Sequence, residues 1–176
     1  MKKYSLNGKW DSYFFAQENS ELKDFIDYEK NSANKIIADV PGNVELDLSA
    51  AGVLPEDLFK GMNSKLTWEY EKYEWWYTRD FVADSPKAGQ RVVLCFHAVD
   101  TIADYYLNGE KIGEHYSGYT AFTLDISEHF SYGEENVLVV RVDSRENLNI
   151  PPFGNVIDYM TYGGIYREVY LEIKNP

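Results

Sequence analysis

A single cysteine, Cys95, stands in the 176 residues of the chain. That excludes an internal disulfide framework and a cysteine-built zinc site, and it predicts a chain made in a reducing compartment, the cytoplasm. Long apolar runs are missing too: nothing approaches the ~20 residues that a membrane-spanning helix needs. The N-terminus reads MKKYSLNGKWDSY, with Asn7, Gly8, Lys9 and Asp11 where a secretory signal requires apolar residues. Positive charge is scarce, with 17 Lys and Arg against 29 Asp and Glu and a net charge of −12. A nucleic-acid partner is therefore not expected.

Catalytic signatures are equally sparse. His97, His115 and His129 fall in three different predicted elements and form no HExxH pair, so no metal is predicted. There is no GxSxG elbow, no phosphate-cradling GxxxxGK[ST] loop and no GxGxxG, so no cofactor is predicted. Cys95 lies in an apolar run, where a thiol behaves as a small hydrophobe. Acidic residues are too abundant for any pair of them to mark a glycosidase acid and nucleophile, which requires carboxyl groups about 5 to 5.5 Å apart.

What the chain does have is apolar and aromatic mass, 44% and 16% of its residues, enough for a core in one domain spanning 1–176. From Trp75 onward, short alternating runs separated by turn residues predict an antiparallel β protein. WWYTRDFV puts Trp75, Tyr77, Arg79 and Phe81 on one face and Trp76, Thr78, Asp80 and Val82 on the other. RVVLCFHAV (91–99) is apolar on both parities and predicts a central strand. Ile102–Leu107 and Lys111–Glu114 flank Asn108-Gly109, the dipeptide of a type I′ hairpin. TAFTLDI, NVLVVRVDS and IYREVYLEI supply further strands, and this spacing predicts a sandwich. In the first half, Lys9–Phe15 reads as a strand and residues 20–30 as a short helix, with Leu22, Phe25 and Ile26 at helical spacing. NVELDLSAAG reads as a second helix, with Asn43 as N-cap and Gly52 as its stop.

The segment TWEYEKYEWWY (67–77) has two readings. It is either a platform on which sugar rings stack or a strand whose aromatics fill the sandwich; the packing reading leads for Trp76 and Tyr77, with Trp68 open.

Taken together, Asn7-Gly8-Lys9-Trp10, VPGNVELDLSAAG (40–52), WWYTRDF (75–81), FHAVDTIADYYLNGEKIGEHYSGYTAFTLDI (96–126), NVLVVRV (136–142) and YGGIYREVYLEI (162–173) resemble the N-terminal sugar-binding domain of glycoside hydrolase family 2. That family includes β-galactosidases, β-glucuronidases and β-mannosidases. The resemblance implies an all-β, jelly-roll-like antiparallel sandwich of the galactose-binding-domain type with one or two short helices. It further implies a non-catalytic domain of a retaining β-glycosidase, with no catalytic residue in this chain and the catalytic glutamates beyond Pro176, on a barrel whose substrate is a carbohydrate. A homo-oligomeric assembly is compatible with it.

One site residue follows from the resemblance. Asp158, seven positions before Ile165, matches an aspartate that reaches from this domain to the sugar; Asn63 and Trp68 are weaker candidates for the same task. Tyr159, Tyr162 and Arg167 are expected to be scaffold, with Gly163-Gly164 permitting a tight backbone passage. The stretch 40–63 is similar to β-mannosidases, whereas NIPPFGNVIDYMTYGG is similar to the galactosidase and glucuronidase branches. Two other classes are a free-standing carbohydrate-binding module, using the 67–77 aromatics, and a structural domain that packs against a neighbour.

Overall fold

The computed structural model describes residues 2–16, 20–31, 34–58, 60, 73–84, 86, 89–145, 149–150 and 162–175. Ten strands and two helices occur among them: β1 (Lys2–Ser5), β2 (Gly8–Phe15), α1 (Leu22–Asn31), β3 (Lys35–Val40), α2 (Val44–Ala50), β4 (Glu74–Val82), β5 (Arg91–Phe96), β6 (Ile102–Leu107), β7 (Glu110–Tyr116), β8 (Phe122–Asp125), β9 (Glu135–Asp143) and β10 (Val169–Lys174). They form a four-stranded sheet, β1-β10-β5-β8, and a six-stranded sheet, β3-β2-β4-β9-β6-β7. All pairings are antiparallel, so the predicted all-β sandwich is present.

The period of two in each strand sorts side chains between faces. On β4, Trp75 and Tyr77 enter the core between the sheets, with Val140 and Val142 of β9 opposite them. Leu94 and Phe96 of β5 and Val169 and Leu171 of β10 close that core from the other sheet. β5 is interior to its sheet and buried from Val92 to Phe96, as a run apolar on both parities requires. The β6–β7 hairpin turns at Asn108 (φ 52°) and Gly109 (φ 88°), the positive values that a type I′ turn demands.

The six-stranded sheet also buries part of its outer face. α1 lays Phe25 flat on Trp76, with ring centroids 4.8 Å apart and an interplanar angle of 1°. Tyr13, Phe15 and Val139 complete this second apolar layer. An aromatic pair of this kind adds ~1 kcal/mol beyond the area it buries.

Both helices appear where the sequence places them. Asn43 caps α2 by accepting from Leu46 N at 2.9 Å, and Gly52 follows the C-cap with φ 73°. Val44 and Leu48 face the core, and Leu46 faces solvent. Three local readings change. KIIADV, which the sequence pattern leaves unassigned, is strand β3, because residues 8–13 of β2 pair with it along its whole length. Lys2–Ser5 is also a strand, recruited by β10. The last strand begins at Val169 rather than Ile165, because the main chain at Gly164 and Ile165 bonds instead to Asp100 and Gly42.

α2 carries one polar cost of this packing. Asp47 is buried and accepts from Asp39 N at 2.9 Å, and burial pushes its carboxyl up to about 6. Burial, together with the charges of Asp47 and Glu45, also raises the Tyr77 phenol. A carboxyl raised in the folded state binds its proton more tightly there than in the unfolded chain. Its stabilising contribution is therefore present below the unfolded value and lost as pH rises through about 6. Asp47→Asn keeps the acceptor for Asp39 N. It should be more stable than the parent at neutral pH by at most about 3 kcal/mol, the two converging toward about pH 4, as read from urea denaturation at both pH values.

Candidate functional site

Asp158, Asn63 and Trp68 lie outside the described residues, in the segments 151–161 and 61–72. Tyr159 lies outside them as well. The described residues fix where those segments attach. β4 begins at Glu74, directly opposite Asp143, the last residue of β9. β6 begins at Ile102, also opposite Asp143, and β7 ends at Tyr116, opposite Ile102. The chain thus enters β4 after 61–72 and leaves β9 toward 151–161 at one end of the six-stranded sheet. The topology brings together the roots of two segments that are some ninety positions apart in sequence.

The chain returns from 151–161 through a main-chain clasp. Gly163 O accepts from Val44 N at 3.2 Å, Gly164 O from Asp100 N at 3.1 Å, and Ile165 O from Gly42 N at 3.1 Å. The predicted tight passage is real: a Cβ on Gly163 would meet Ser144 Oγ at 2.7 Å, and one on Gly164, where φ is 102°, would meet Tyr77 Oη at 2.6 Å. Ser144 Oγ donates to Asp100 O at 2.6 Å, and Tyr166 Oη donates to Gly118 O. These bonds join the β5–β6 and β7–β8 connections to the returning strand. Within this junction Asp100 is buried, and burial raises its carboxyl despite the hydroxyl of Thr101, which donates to it at 2.5 Å. Tyr162 and Arg167, expected as scaffold, both point to solvent.

Next to the clasp, on the outer face of the sheet, is a charge cluster that the sequence reading missed. Glu74 is fully buried and accepts from Arg141 Nη2, from Ser20 Oγ and from Ser20 N. Arg141 Nη1 reaches Asp104 at 2.9 Å, and Lys111 reaches Asp104 at 2.7 Å. Arg145 Nη2 holds Asp143 at 2.5 Å and lies 3.7 Å from Glu74. Burial works against the Arg141 cation, yet hydrogen bonds and charge from Glu74 and Asp104 outweigh it and hold the proton more tightly than usual. Burial likewise works against the Asp143 anion, and Arg145 overcomes it, leaving that carboxyl below the usual range. The available signal was a charged residue inside an apolar β run, Arg141 in VLVVRVD and Asp104 in IADYYL.

The aromatic segment also resolves for its described part. Trp75, Trp76 and Tyr77 are all buried, two in the main core and Trp76 under α1, so none of them offers a face to a sugar. His97 contacts Tyr170, His115 contacts Thr120 and His129 contacts Glu110, three separate places. Among the described residues no group of three His, Cys, Asp or Glu side chains is arranged to hold a metal ion. No helix among them is long and apolar enough to cross a membrane.

Residues 18–151 match the family described as "Glycosyl hydrolase 2 galactose-binding domain-like". A β-galactosidase of Thermoanaerobacter pseudethanolicus is 50% identical over 101 residues, 57% of this chain and 14% of that protein. A β-glucuronidase of Bacteroides fragilis is 46% identical over 87 residues, 49% of this chain and 12% of that protein. Among solved structures, a β-D-mannosidase from Dictyoglomus thermophilum overlays 99% of this chain with a TM-score of 0.77 and 25% identity, using 23% of its own length. A β-glucuronidase from an uncultured Clostridium overlays 99% with a TM-score of 0.70 and 26% identity, using 29% of its length. The chain thus matches about a seventh or less of the length of these two curated relatives.

Arg141→Ala should destabilise the chain by about 3–5 kcal/mol, because it takes the close cation from the fully buried Glu74 carboxylate, whereas Asp104 keeps Lys111 at 2.7 Å. The loss, read from urea denaturation, should change little between low and high salt, since the pair is shielded from counterions.

Proposed function

The chain belongs to the glycosyl hydrolase 2 family, in its galactose-binding domain-like part, and from that membership we propose that it is the non-catalytic N-terminal domain of a retaining β-glycosidase. The parent enzyme hydrolyses terminal β-glycosidic bonds of a galactoside, glucuronide or mannoside. The domain forms one wall of the active site, and Asp158 lends it a carboxylate that accepts hydrogen bonds from vicinal sugar hydroxyls.

The observation that carries this reading is the family match over 18–151, with relatives that are β-galactosidases and β-glucuronidases. The pairing of Glu74 with Asp143 supports it, since the candidate residues precede one of these strand ends and follow the other in the chain. The alternative of a free-standing carbohydrate-binding module loses Trp75, Trp76 and Tyr77 from its platform.

Assayed on nitrophenyl β-galactoside, β-glucuronide and β-mannoside, the 176-residue chain should show no turnover above blank; measurable turnover would reject the non-catalytic assignment. In the enzyme that carries this domain, Asp158→Ala should lower kcat/KM by about 10²-fold, as expected when a contact that orients the reacting ring is lost. Unchanged kinetics there would remove Asp158 from the site.

A further inference from the structure

Among the described residues no tryptophan or phenylalanine is exposed, whereas four tyrosines are: Tyr116, Tyr119, Tyr132 and Tyr162. Tyr132 stands apart, its hydroxyl donating to Ser127 O. The other three attach at the clasp. Tyr119 follows Gly118, whose carbonyl accepts from Tyr166 Oη, and Tyr116 precedes Gly118 by two positions. Tyr162 precedes Gly164 by two positions, and Gly164 O accepts from Asp100 N. Gly118 in turn lies so close to Asp100 that a Cβ on it would collide with Asp100 Oδ1. Val44 and Ile165, the aliphatic residues whose main chain makes the same clasp, are buried.

Tyrosine offers an apolar ring face and a polar tip, and with only two side-chain torsions it loses little entropy on binding. Carried on a braced backbone, such rings suit a ligand with apolar C–H faces edged by hydroxyls, which is the chemistry of a sugar. The brace is present. His115 stacks on Phe122, with ring centroids 4.0 Å apart, and contacts Thr120 Oγ1 at 3.0 Å across the base of the connection that carries Tyr119. An acceptor is present too, since the Tyr116 hydroxyl donates to the Glu114 carboxylate, which Lys111 holds at 2.7 Å. The ring that reacts has to be enclosed and held in one orientation, whereas these tyrosines are about half exposed and suit the part of a substrate that stays outside. We propose that Tyr116, Tyr119 and Tyr162 form a rim that binds the leaving-group side of the substrate when that group is itself a sugar. This rests on the family reading and deepens it by naming what is bound beyond the sugar that Asp158 orients.

The test compares two substrates in the enzyme that carries this domain: a β-linked disaccharide, and the methyl β-glycoside of the same terminal sugar, which lacks the second ring. Tyr116→Ala, Tyr119→Ala and Tyr162→Ala should each raise the ratio of the disaccharide KM to the methyl glycoside KM by about fivefold, the loss expected of one ring contact. The kcat for the disaccharide should hold, because the contact is made equally in the ground state and the transition state. The corresponding Phe variants keep the ring and should keep the ratio. All three side chains are exposed, so Tm should stay at the parent value and show that the variants are folded. A ratio that none of the Ala variants moves overturns the proposal, even where both KM values shift together, which is the result of packing against a neighbouring domain. Phe variants that raise the ratio as far as the Ala variants overturn it as well. If the unsubstituted enzyme hydrolyses neither glycoside, the family reading fails and the rim with it; if it hydrolyses both and the ratio holds, the rim alone is rejected.

Discussion

The register of β4 on β9 is the constraint on which the rest of the molecule depends. Nine consecutive pairs, from Glu74↔Asp143 to Val82↔Glu135, join these two strands at the centre of the six-stranded sheet. Because side chains alternate between faces, a slip of one residue would turn Trp76 and Glu74 into the main core and expel Trp75 and Tyr77. In the observed register Trp76 lies opposite Arg141 on the outer face, and Trp75 lies opposite Val142 on the inner one. That single alignment creates two buried layers and sets the charge cluster beside the second of them.

The same alignment organises what lies at the ends of the sheet. Glu74 and Asp143 are paired terminal residues, so the segments before one and after the other share a root. Arg145 spans that root by holding Asp143 and approaching Glu74. Arg141 binds Glu74 and Asp104 across three adjacent strands, β4, β9 and β6. Removing charges from water costs several kcal/mol per ion, and here that cost is offset by hydrogen bonds on both sides of the guanidinium. Ser20 extends the cluster by donating to Glu74 and accepting from Trp76 Nε1 at 3.1 Å, which ties the N-terminal approach to α1 to the same place. On the inner face, the register places Arg79 opposite Leu138 and aims a cation into an otherwise aromatic column.

Much of the fold is legible in the sequence because its causes are local. The alternation in WWYTRDFV, the double-sided apolar run RVVLCF, the Asn108-Gly109 turn and the Asn43 cap each depend on residues a few positions apart. β3 and β1 escape a local reading, since KIIADV and KKYS become strands only when β2 and β10 offer them a partner. The site divides in the same way. Gly163-Gly164 could be read as a tight passage from composition alone, yet the partners that require it, Ser144 and the Tyr77 hydroxyl, come from β4 and the end of β9.

Sequence by itself determined the all-β class, the two short helices, the hairpin and the family, because short-range periodicity and the order of motif blocks survive without any knowledge of pairing. Tertiary structure decided the second buried layer under α1, the Glu74–Arg141–Asp104 cluster and the shared root of the two candidate segments. Each of these joins residues separated by tens of positions. Such contacts follow from which strand lies beside which and in what register, a choice set by the burial of the whole sheet rather than by any one segment.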